Sequence, residues 1–86
     1  MLTRQSIADQ LLNYLNHRIA LAELVDWAEK SIMEGDAEEA YAKTIMQSLG
    51  RIAAADVKEF GLLWEDCESI MHSLGFTIKV NADIAA

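Results

Sequence analysis

Apolar residues recur at helical spacing along most of this chain. Between Leu2 and Asn16, the side chains Ile7, Leu11, Leu12 and Leu15 return every three or four positions, with Ala8 and Tyr14 at the edges of the stripe. Thr3 is a suitable N-cap, and Leu2 with Ile7 occupies the two positions of a hydrophobic staple, so a helix is predicted over about 3–16. Asn16, His17 and Arg18 are polar and mark a turn. Leu21, Leu24, Val25, Ala28 and Ile32 form a second stripe, widened by Trp27, which predicts a helix over about 20–34. Ala20 has no side-chain acceptor for the first amides of that helix. Gly35 suits the left-handed position that closes it.

Asp36 and Glu39 have the spacing of an acidic capping box, so a third helix is predicted to follow at once, over about 37–54. Tyr41, Ile45, Leu49 and Ile52 keep one of its faces apolar. Gly50 either ends this helix or is a close-packing site within it. The stripe keeps its phase past the glycine, which favours the longer helix. Asp56 and Glu59 repeat the capping spacing and predict a short helical turn ending near Gly61. A fourth helix, about 62–74, carries Leu63, Cys67, Ile70, Met71 and Leu74 on one stripe. Gly75 then fits a Schellman stop, with Phe76 placed to cover Met71. Beyond it Phe76, Ile78 and Val80 alternate with Thr77, Lys79 and Asn81, the pattern of an extended segment over 76–80. No second segment of similar quality is available to pair with it.

Without proline, internal repeat or linker-like composition, residues 1–86 read as a single domain. Helices joined by short turns pack as antiparallel neighbours. The expected fold is therefore all-α: a small antiparallel four-helix bundle with a short C-terminal extended segment.

Composition narrows the classes of function. At 52 % hydrophobic the chain is too apolar to be disordered, yet no apolar run approaches the roughly 20 residues that cross a bilayer. One cysteine excludes an internal disulfide framework, and Met1–Ser6 lacks the apolar core of a secretory signal. A soluble cytoplasmic protein is expected. The net charge of −7 is concentrated between Glu23 and Glu39, where seven acids (Glu23, Asp26, Glu29, Glu34, Asp36, Glu38, Glu39) face the single base Lys30. Such a surface repels nucleic acids and anionic membranes, so neither is expected as a partner.

Candidate chemistry is sparse. A nucleophilic cysteine needs a nearby cation or helix N-terminus and solvent access. Cys67 instead shares its phase with Ile70 and Met71 and sits among Glu65, Asp66 and Glu68, which places it in the core. Glu65, Glu68 and His72 lie at i, i+3 and i+7 on the other face of the same helix. Two carboxylates and an imidazole in a row could hold a divalent metal or share a proton. The spacing, however, is neither Glu-x-x-His nor His-Glu-x-x-His, and a solvated face with a Glu68–His72 pair is expected instead. His17 reads as a surface residue, and Trp27 and Trp64 as core residues with one wet edge. No cofactor, metal or catalytic residue is expected, and an enzyme using Glu65, Glu68, His72 or Cys67 is the least favoured reading.

What remains is assembly. The unpaired extended segment and the small core predict a non-enzymatic protein–protein interaction module that forms a homodimer through Phe76, Ile78 and Val80. The alternative is an inhibitor-like protein that docks a basic partner on Glu23, Asp26, Glu34, Asp36, Glu38 and Glu39. In size, charge and helical content alone, the chain is similar to bacteriocin immunity proteins and some antitoxins, with no diagnostic motif.

Overall fold

A computed structural model describes residues 1–56 and 62–78. Among these residues are four α-helices: α1 (Arg4–Leu15), α2 (Leu21–Glu34), α3 (Ala42–Ala53) and α4 (Trp64–Ser73). The only β pairing among them is an isolated parallel bridge between Leu2 and Ala37. The fold is the expected small all-α bundle.

Local chemistry sets each boundary. Thr3 caps α1, its hydroxyl accepting from the Ser6 amide at 3.1 Å, while the Ser6 hydroxyl accepts from the Thr3 amide at 3.3 Å. The turn after α1 places His17 in the left-handed region (φ +60°), a conformation that non-glycine side chains seldom adopt. Helix α2 starts on the uncapped Ala20, whose amide is met by the Glu23 carboxylate at 3.5 Å, and stops at Gly35 (φ +66°).

The third helix starts later than its sequence spacing implies. Asp36 and Glu39 do not form a capping box. Residues 36–38 instead run beside the start of the chain, where the Leu2 amide donates to the Asp36 carbonyl (2.6 Å) and the Glu38 amide to the Leu2 carbonyl (2.8 Å). These non-local bonds hold the backbone extended, and a single 3₁₀ turn (Glu39–Tyr41) precedes α3. Gly50 lies within α3, as expected, but it is not a close-packing site: a Cβ added there would meet nothing within 4 Å. A second 3₁₀ turn (Ala54–Asp56) extends the helix. The turn predicted to end near Gly61 falls on residues 57–61, outside the described residues.

At the other end α4 closes as predicted. Gly75 (φ +90°) donates to the His72 carbonyl at 3.0 Å and Phe76 to the Met71 carbonyl at 2.9 Å, the two bonds of a Schellman motif. Phe76 and Ile78 then pack, half-buried, against the core. Val80 lies outside the described residues.

One core joins the helices. Ile7 and Leu11 of α1, Leu24 and Ala28 of α2, Ile45, Leu49 and Ile52 of α3, and Cys67 and Leu74 at α4 are almost fully enclosed. The α2–α3 interface is the most extensive. Four positions depart from the predicted stripes, among them Leu12 of α1, which is 39 % exposed. Ile32 is 38 % exposed, and the adjacent Ser31 turns inward in its place. Leu63 is 63 % exposed at the N-cap of α4, and Leu62 is buried instead. Tyr41 is exposed rather than part of the α3 core. Ile32, Leu63 and Tyr41 sit near the end of a helix, where the chain direction changes and helical phase no longer dictates burial.

Candidate interaction surface

The bundle presents its candidate groups on separate surfaces. Cys67 has no exposed surface on the inner side of α4. Burial, reinforced by the Asp66 carboxylate, pushes its thiol up to about 11, so at neutral pH it is protonated and unreactive.

Glu65, Glu68 and His72 are exposed on the outer side of α4. Together with Phe76, Thr77 and Ile78 they line a shallow groove of about 350 Å³. The expected Glu68–His72 pair does not form, since neither side chain has a hydrogen-bond or ion-pair partner among the described residues. No cluster of three or more His, Cys, Asp or Glu side chains among those residues is arranged to hold a metal ion. Asp66, between these two faces, is structural. It accepts from the Leu63 amide at 2.9 Å, closing the first turn of α4, and pairs with Arg51 of α3 at 2.9 Å. The amide bond foremost, with the guanidinium adding to it against the opposing effect of burial, holds its carboxyl below the usual carboxylate range.

The acidic run of residues 23–39 is largely occupied with the protein itself. Glu23 serves the start of α2 and Asp26 pairs with Lys30 at 2.9 Å. Asp36 lies 3.5 Å from the Met1 amino group, and Glu38 both accepts from the Arg4 amide at 3.1 Å and lies 3.6 Å from its guanidinium Nε. Of the six acids proposed to dock a basic partner, Glu34 and Glu39 alone lack an ion-pair or hydrogen-bond partner among the described residues. Glu34 and Asp36 border a small hollow with Trp27, which is half-buried as expected.

A different surface emerges where α1 meets α4. The two helices are antiparallel: the Arg4 guanidinium donates to the Leu74 carbonyl at one end (3.1 Å), and the Tyr14 hydroxyl to the Leu62 carbonyl at the other (3.3 Å). Along this seam run two open grooves. The first, about 250 Å³, lies between Ala8 and Leu12 of α1 and Met71, Phe76 and Ile78. The second, about 320 Å³, lies between Tyr14 and Leu15 of α1 and Leu62, Leu63 and Trp64. Ala8, Leu12 and Leu15 stand at i, i+4 and i+7 on α1, so they join the two grooves into one strip. Leu12 is 39 % exposed, Leu63 63 % and Trp64 41 %. At 41 % exposed, Trp64 shows more than the one wet edge expected of it. Among the described residues no Asp, Glu, Lys or Arg lines either groove, whereas each of the other three hollows includes at least one.

Leu12 reads as a core residue of the α1 stripe, so its spacing gives no hint of this surface. Leu63 and Trp64 gave none. Arg4 was also silent, although its side chain joins three parts of the fold. No family model, curated protein or solved structure matches the chain.

Proposed function

We propose that this chain is a non-enzymatic protein–protein interaction module that associates with itself. The observation that carries the reading is the apolar strip on α1 and α4, where Leu12, Leu63 and Trp64 remain at the surface beside the half-buried Phe76 and Ile78. Apolar side chains gathered in one strip, and not scattered singly, mark association surfaces, and a partly exposed tryptophan is the usual anchor of one. Phe76 and Ile78, expected to be the association element, form one end of this strip.

Two further features support a binding role over catalysis. The one thiol is enclosed and protonated, and the Glu65, Glu68 and His72 side chains have no group among the described residues that orients them. Docking of a basic protein on residues 23–39 is less favoured, because most of those carboxylates already serve caps and ion pairs. Light scattering over a dilution series from submillimolar to micromolar protein tests the proposal. A mass of two chains that falls towards one on dilution is the expected result; a single-chain mass throughout would overturn it.

A further inference from the structure

We draw no further inference here: the strongest candidate, the groove on the outer side of α4 where Glu65 and Glu68 stand beside Phe76 and Ile78, is a pair of exposed carboxylates next to an open apolar wall, and nothing in the structure shows what covers it.

Discussion

Arg4 ties together three segments that are distant in sequence. Its guanidinium donates to the last carbonyl of α4 at Leu74, lies 3.7 Å from the ring centroid of Tyr41, and faces Glu38 with Nε at 3.6 Å. That Nε is buried without a hydrogen bond, so the planar group is held by its other contacts. A lysine cannot reproduce the stacking and the directed hydrogen bond together. Arg4→Ala should therefore destabilise the fold by about 2 kcal/mol, the sum of a modest hydrogen bond and a cation–π contact, and Arg4→Lys should recover less than half of it. Urea unfolding of the two variants checks this. A side chain at Gly75 would be strained by φ +90°, and its Cβ would lie 3.2 Å from Arg4 Nη1, which would have to shift by a few tenths of an ångström.

Cys67 provides a pH test at the same scale. Folding raises its pKa, so the folded state keeps the thiol proton to higher pH than the unfolded chain does. Its contribution is complete at neutral pH and is lost as pH rises through the ordinary thiol range towards about 11. Native protein at pH 7 should react with a thiol reagent far more slowly than protein unfolded in urea, and the Cys67→Ala variant should lose stability less steeply over that alkaline range. Rapid native labelling at neutral pH would contradict the enclosed position.

For the helices, the informative position is Gly50. It lies inside α3, exposed to solvent, with room for a methyl group. Glycine in a helix interior lowers stability relative to alanine, because more backbone freedom is lost on folding. Gly50→Ala should raise stability by about 0.5–1 kcal/mol, seen as a higher thermal midpoint. A fall would mean that the glycine serves a contact or a bend. The neighbouring α2–α3 connection shows how an element boundary moves. The 36–39 spacing is that of a cap, but backbone pairing of Asp36 and Glu38 with Leu2 holds those residues extended. A non-local bond outweighs a local preference of comparable size.

At the scale of the molecule, one core serves all four helices without a disulfide. Leu49 is fully enclosed near its centre, with Ile45 and Ile52 of the same helix equally enclosed. Removing most of its side chain leaves a cavity that the surrounding helices close only in part. Leu49→Ala should therefore cost about 3 kcal/mol. That is a large share of the roughly 5–15 kcal/mol typical of a domain, and it should appear as a cooperative unfolding transition shifted to lower urea.

Helix number, the Thr3 cap, the stops at Gly35 and Gly75, and the inward phase of Cys67 were all legible in the chain. Each depends on residues within about one turn of one another, where the helical period and the few backbone-capping side chains leave little choice. Other features were not legible. The pairing of Leu2 with residues 36–38, the reach of Arg4 to Leu74 and Tyr41, and the dispersal of the acidic run into caps and ion pairs all depend on which segments become neighbours. The apolar strip belongs to the same class. Leu12 and Leu63 read as core residues from periodicity alone, yet both remain at the surface. Sequence thus determined which residues form helices and the face each helix offers. Packing alone decided which apolar side chains the single core could enclose, because burial is a property of the neighbours and not of the residue.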